Sequence, residues 1–168
     1  MQQAIDFKFE CECLSNVLKD LNNHDFKQIT QFKNWTIEDI LGHLHLFNVA
    51  ADITLESDLK FNAFFADITK ELNRGKSLLQ AQYPWLNGLC GKELYDVWLE
   101  GSYQTAHNYS KVDPKMRVKW AGPEMSARSS ITARQMETWA HGHEIFDVLG
   151  VKRIETDRVK NIVFLGVN

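Results

Sequence analysis

Stretch after stretch of this chain repeats its apolar residues at intervals of three and four, and none shows a strong strand or hairpin pattern. A period of about 3.6 marks a helix with one buried face, whereas a half-buried strand alternates. Residues 4–21 carry Ile5, Phe9, Leu14, Val17, Leu18 and Leu21 at helical spacing, and the turn formers Asn22-Asn23-His24-Asp25 end the run. Thr36 opens the next helix as N-cap. Glu38 and Asp39 put negative charge in its first turn, with Asp39 in the capping-box place. Its apolar stripe is Ile37, Ile40, Leu44, Phe47 and Ala51. Residues 58–82 continue with Phe61, Phe64, Phe65, Ile68 and Leu72, with an interruption at Asn73-Arg74-Gly75. Tyr83-Pro84 predicts a break, because proline disfavours helix in the residue before it. Residues 91–112 bury Leu94, Val97, Trp98, Tyr103 and Ala106, and Asp113-Pro114 closes them. Residues 118–130 read as a connection around Gly122-Pro123. A further helix over residues 133–151 stops near Gly150, a residue suited to the left-handed position past a helix end. Residues 159–167 repeat the helical spacing once more. The reading is all-α: four main helices in a bundle, with short additional helices.

A chain of 168 residues, 44% apolar and 24% charged, can bury a real core as one domain. The formal charge is −3, and no stretch gathers Lys and Arg on one face, which argues against a nucleic-acid partner. No apolar run approaches the roughly 20 residues of a membrane helix, and the N-terminus lacks the apolar segment of a signal peptide. The expectation is a cytoplasmic protein without a membrane partner. Cysteine usage agrees with that. Cys11, Cys13 and Cys90 are an odd set, and on a helix Cys11 and Cys13 point about 200° apart. Neither a disulfide framework nor a Cys-rich zinc site is expected.

The densest chemistry lies in residues 133–151. Glu137 and His141 are four apart, which places them on one helix face, one turn above the other. Such a pair is either a surface Glu–His contact or two ligands for one divalent metal. On the second helix His43 lies at the edge of the apolar stripe, where it can look into the bundle. His45 points toward solvent, and His107 sits near a helix C-terminus, where its charge is favourable. His43, Glu137 and His141 together would offer two nitrogens and one oxygen from two helices. Three protein ligands leave a position open, as in catalytic zinc sites. Two imidazoles and a carboxylate suit zinc, and Fe, Ni and Mn accept the same set. Asp39, one turn before His43, is either the helix cap or an acceptor for the His43 ring.

Trp35-Thr36-Ile37-Glu38-Asp39-Ile40-Leu41-Gly42-His43-Leu44 resembles the signature of DinB-like proteins, in which a tryptophan, a hydroxyl residue and an acid precede a histidine. More closely, it is similar to the metal-binding domain of mycothiol-dependent maleylpyruvate isomerases. That resemblance implies a DinB-like helix bundle with His43, Glu137 and His141 as metal ligands. Many other DinB-like proteins carry His in place of the first residue of the later pair, and Glu137 favours the isomerase-like branch. Residues 120–150 resemble an uncharacterised bacterial subfamily of this group, through Trp120-Ala121-Gly122-Pro123-Glu124-Met125-Ser126-Ala127-Arg128 and Met136-Glu137-Thr138-Trp139-Ala140-His141-Gly142. Thr156-Asp157-Arg158 and the segment after it match the same subfamily.

The resemblance implies a thiol-dependent transferase or isomerase acting on a small electrophilic substrate, with mycothiol, bacillithiol or glutathione as thiol. Arg128 and Arg134 are the candidates for holding a substrate carboxylate through bidentate geometry. A surface salt bridge or a helix-end carbonyl is the alternative for each. Trp120 and Met125 are candidates for an apolar pocket wall. Trp139, two residues after Glu137, faces elsewhere and belongs to the core. Glu144, three after His141, is a candidate fourth ligand or general base, and His143 falls off the ligand face. Residues 1–155 are expected to form the bundle, and residues 156–168 to begin a further, α/β portion that relatives continue into. Two other functions stay open: a non-catalytic metal- or small-ligand-binding bundle, and a dimeric interaction module.

Overall fold

The structure, a computed structural model, describes residues 1–167, with side chains through Leu165; Asn168, the end of the last expected segment, lies outside the described residues. Four long helices make the body: α1 (Gln2–Leu18), α2 (Ile37–Glu56), α5 (Gly91–Lys111) and α6 (Ala127–Val148). They form a ring in which α1 packs on α5 and α6, and α2 packs on the same two. Two shorter helices, α3 (Asp58–Asn73) and α4 (Leu78–Leu86), lie against α2, and α7 (Val159–Val167) lies against α6. This is the DinB-like all-α bundle that the sequence leads one to expect.

Each long helix contributes an apolar row to one core. Phe7, Leu14 and Leu18 of α1 meet Ile37, Ile40 and Leu44 of α2, Trp98 and Tyr109 of α5, and Ile131 and Ile145 of α6. Fully burying an aliphatic or aromatic side chain of this size contributes about 2 kcal/mol. A second cluster, Leu46, Ala50, Phe61, Phe64, Ile68 and Ala81, joins α2 to α3 and α4.

Local rules set the ends that matter for the site. The Thr36 hydroxyl accepts from the Asp39 amide at 3.1 Å, and Asp39 Oδ2 accepts from the Thr36 amide at 2.9 Å. This reciprocal box fixes where α2 starts, and so the turn on which His43 falls. At its other end α6 passes through Leu149 into Gly150, whose φ of 66° is the left-handed conformation that glycine adopts without strain.

Several expectations are corrected. The buried face of α1 is rotated: Ala4, Phe7, Cys11, Leu14 and Leu18 point inward, while Ile5 and Phe9 are about half exposed. On α5 the Tyr103 ring lies outside and Tyr95 is buried instead. Tyr83-Pro84 does not end a helix but lies inside α4. Pro84 sits in its last turn, where it removes one rung of the helix, and Asn87 then turns the chain in a left-handed conformation. Residues 117–126 are not only a connection. Arg117–Val118 pairs antiparallel with Met125–Ser126 in a hairpin of two residues a side, too short to show alternation. Finally, α6 starts at Ala127 rather than near 133. Ser126 caps it by accepting from the Ser129 amide, so Arg128 is helical.

Candidate metal centre

Two helices bring three ligand-type side chains together. His43 comes from α2, and Glu137 and His141 come from successive turns of α6. Glu137 Oε2 lies 3.2 Å from His43 Nε2 and 3.3 Å from His141 Nε2. The donor atoms of all three lie within 4.8 Å of one another. Ligands at about 2.0–2.1 Å around one tetrahedral ion stand about 3.3 Å apart, a spacing that the two separations from Glu137 match.

The electrostatics favour the same use. Hydrogen bonds from His141 and His43 hold the Glu137 carboxyl far below the usual carboxylate range, and the Arg134 guanidinium adds to this. Burial pushes the His43 ring below the ordinary imidazole value, against the pull of Glu137, so it is neutral at pH 7. An ionised carboxylate beside a neutral imidazole is the state a divalent cation needs. The cysteines take no part. Cys11 is fully buried, and burial pushes its thiol up to about 12; Cys13 is also raised by burial.

Aromatic rings wall the cluster. Phe32 lies edge-on to His141 at 4.8 Å between centroids, and Trp35 approaches His43 at 5.6 Å and stacks on His141 at 6.3 Å. On the other flank Phe47 sits 4.8 Å from His43 and carries Trp120 at 5.9 Å, which in turn meets Phe61. Rings on both sides exclude water from the imidazoles and limit their rotation. Trp120 therefore stands one ring away from His43, behind Phe47.

Other candidates lie elsewhere. Arg134 is 1% exposed. Its Nε donates to Asn48 Oδ1 at 3.0 Å and its Nη2 to the Leu44 carbonyl at 3.2 Å, which fixes the guanidinium inside the bundle. It is a core cation beneath the site, not a surface clamp. Arg128 is exposed at the start of α6, where it lines a hollow with Gln3, Thr132, Asn161 and Phe164. Nine residues of helix, about 13 Å, separate it from Glu137. Met125 packs on the main core from the hairpin. Glu144 is half-buried and does not belong to the triad. His143 instead pairs with Glu155 at 3.1 Å, and Trp139 is not core but donates to Glu155 at 3.1 Å. His45 is half-buried rather than solvated, and burial lowers its pKa. Asp39 caps α2 and accepts from Tyr83 at 3.0 Å, while His43 Nδ1 meets Gln82 of α4 at 3.0 Å.

Gln82 and the rings of Phe32 and Phe47 are the site neighbours that sequence reasoning missed. Gln82 is 39 positions from His43, and no local spacing reports such a pair. Trp35 could have been found, since it heads the motif that ends at His43.

Over residues 8–146 the chain matches the family described as "Mycothiol maleylpyruvate isomerase N-terminal domain". Two uncharacterized proteins from strains of Mycobacterium tuberculosis, MT0041 and Rv0036c, are each 31% identical over 163 residues. The match covers 96% of this chain and 62% of theirs, so the chain spans less than two thirds of the length of these relatives. A solved structure, a histidine-to-alanine mutant of the mycothiol-dependent maleylpyruvate isomerase, is similar with a TM-score of 0.66 at 13% identity. It is covered to 66% by 98% of this chain, a likeness that shows the fold. Among the described residues no helix is long and apolar enough to cross a membrane.

Proposed function

The chain belongs to the mycothiol maleylpyruvate isomerase N-terminal domain family, and on that premise we propose that His43, Glu137 and His141 hold one divalent metal ion for a thiol-dependent transfer or isomerisation. The observation that carries this reading is the convergence of three donor atoms from two helices within 4.8 Å, in the charge state a cation needs. Zinc fits two imidazoles and a carboxylate best, with Ni, Fe or Mn as the other candidates. When bound, such an ion supplies the positive charge that keeps the sulfur of a low-molecular-weight thiol as thiolate at neutral pH. The thiol is of the mycothiol, bacillithiol or glutathione type, and the second reactant is a small electrophile.

The protein's own residues supply the rest. Glu137 stays ionised because two imidazoles donate to it and Arg134 lends it a field. Phe32, Trp35 and Phe47 restrict the rings and exclude water. Trp120, packed on Phe47, is the candidate to line the reactant's side of the centre. In this reading residues 1–155 are the metal-holding bundle, and residues 156–168 begin a further portion.

A second reading, a bundle that binds a metal or small ligand without turnover, is favoured by one observation. Neither arginine proposed to hold a carboxylate is exposed at the triad: Arg134 is buried and bonds Asn48 and Leu44, and Arg128 lies at the start of α6. Elemental analysis of the purified protein tests the base of both readings. About one zinc, nickel, iron or manganese per chain is expected, falling to background in His43→Ala. A metal-free protein that gains no stability with any of the four would sink both. Consumption of a thiol together with an electrophile by the metal-loaded protein separates the first reading from the second.

A further inference from the structure

His43 is held from both ring nitrogens. Its Nε2 faces Glu137 Oε2 at 3.2 Å, and its Nδ1 faces the Gln82 amide nitrogen at 3.0 Å. Gln82 is 1% exposed, and its Oε1 is buried without a hydrogen-bond partner among the described residues. A buried carbonyl oxygen left unpaired costs on the order of 1–3 kcal/mol, so its presence beside a ligand histidine needs a reason.

The place of the amide is fixed from outside the site. Tyr83, the next residue, donates its hydroxyl to Asp39 Oδ1 at 3.0 Å. One turn further along α4, Leu86 packs so closely on Gly42 that a Cβ there would stand 2.7 Å from Leu86 Cδ1. Asp39 and Gly42 belong to the turn of α2 that leads into His43. Thus α4 is docked on that turn, and Gln82 cannot drift from the ring.

A neutral imidazole carries one ring proton. With the Gln82 N–H donating to Nδ1, that proton sits on Nε2 and points at Glu137. To give an Nε2 lone pair to a cation, the ring must carry its proton on Nδ1 instead, and this N–H then needs an acceptor. A carboxylate or a backbone carbonyl could serve only that second state. A primary amide serves both, because a half-turn about its last side-chain bond exchanges Oε1 for Nε2 without moving the backbone. The unpaired Oε1 is the acceptor that such a turn brings to Nδ1.

We propose that Gln82 is the positioning residue of this centre: its amide holds the His43 ring and, by turning, switches it between the tautomer that bonds Glu137 and the tautomer that offers Nε2 to a divalent cation. This rests on the metal-centre reading above. It adds to that reading a residue on a third helix, which makes the docking of α4 part of the ligand geometry.

The experiment measures zinc affinity by competition with a chromophoric chelator, for the full chain and for Gln82→Leu and Gln82→Glu, with folding checked by circular dichroism. Gln82→Leu keeps the bulk and loses the amide; its affinity should fall about 10–100-fold, the usual cost of losing a partner of a ligand histidine. Gln82→Glu keeps an acceptor for Nδ1–H and should restore most of that loss. Nitrogen-15 correlation spectra of the unmodified protein need no variant to fold. They should show the His43 ring proton on Nε2 without metal and on Nδ1 with zinc. Zinc binding by Gln82→Leu as tight as that of the parent protein, or the same His43 tautomer in both states, overturns this inference and leaves the metal centre standing. A parent protein that binds no zinc, nickel, iron or manganese overturns both.

Discussion

Glu10 on α1 and Glu137 on α6 are both acids drawn into the bundle with a guanidinium nearby, yet the two guanidiniums are used differently. Glu10 is 1% exposed. Arg153 bonds its Oε1 directly, and Arg158 Nε stands 3.7 Å from its Oε2. Arg153 also donates to the Trp139 carbonyl at 3.2 Å and reaches Glu155 at 3.2 Å. That carboxylate is closed, and the pair ties the chain after α6 back onto α1. Beside Glu137 the donors of Arg134 go to Asn48 and Leu44 instead. Glu137 is kept ionised first by hydrogen bonds from His141 and His43, and the Arg134 guanidinium adds a smaller field without taking the carboxylate oxygen. A cation that takes the oxygens makes a strut. A cation that only polarises them leaves a ligand.

The largest test of that contrast removes each acid in turn. Glu10→Ala leaves two guanidiniums without their buried partner and should cost about 3–5 kcal/mol in urea unfolding, with metal content unchanged. Glu137→Ala should do the reverse: metal content falls to background, and the metal-free protein loses only about 1 kcal/mol. Equal destabilisation by the two variants would mean that Glu137 is a strut as well. Next in size is the response to added ion. At a free zinc concentration 100 times the dissociation constant, the parent protein should gain about 2.7 kcal/mol, read as a rise in melting temperature. Glu10→Ala, although weaker to begin with, should show the same gain, and His141→Ala should show none.

Much of this contrast was legible in the sequence, for a physical reason. The i,i+4 spacing of Glu137 and His141 is enforced by helix geometry, so a helical period through residues 133–151 already places both on one face. The motif from Trp35 to His43 carries its own N-cap, which fixes the register of α2 without help from the rest of the fold. What failed depends on partners far away in the chain. Arg134 looks like a helix-surface arginine until Asn48 and Leu44 arrive from α2, 86 and 90 positions away. Arg128 falls in a stretch that reads as a connection, and the Ser126 cap makes it the second residue of α6, about two and a half turns before Glu137. Phe7 rather than Ile5 and Phe9 is buried where α1 packs on both α5 and α6, partners that the spacing within α1 does not report.

Acid separates the two regions by a smaller amount. The folded-state pKa of Glu137 is depressed, so its contribution is present above its ordinary value of 4.5 and is lost as pH falls from there toward the folded pKa. The folded-state pKa of His43 is also lowered, by burial. The unfolded chain therefore takes up its proton first, and stability is lost as pH falls below 6.5. His45 acts in the same direction and window. Metal-free protein should thus weaken in two steps on acidification, one starting at pH 6.5 and one at pH 4.5. Glu137→Gln should flatten the lower step by on the order of 1 kcal/mol, a modest figure because water still reaches about a third of that side chain. Urea unfolding of the metal-free proteins between pH 7 and pH 4 checks this, and an unchanged lower step in Glu137→Gln would assign it to some other carboxylate.

The smallest effect concerns the outer fastening of α4. Tyr83 gives Asp39 a single, exposed hydrogen bond at 3.0 Å. Tyr83→Phe should therefore cost only about 0.5 kcal/mol. Asp39 keeps its bonds to the Thr36 amide and hydroxyl, at 2.9 and 2.7 Å, so the cap of α2 survives the change. Leu86 still fills the space over Gly42, so the helix that carries Gln82 stays docked. Zinc affinity should then move by less than the factor of about 10 expected for the loss of a direct partner of a ligand histidine. Chelator competition on Tyr83→Phe reads that ratio. A tenfold loss would show that α4 is held over His43 by its polar edge rather than by packing, and that the ring's alignment depends on a bond open to solvent.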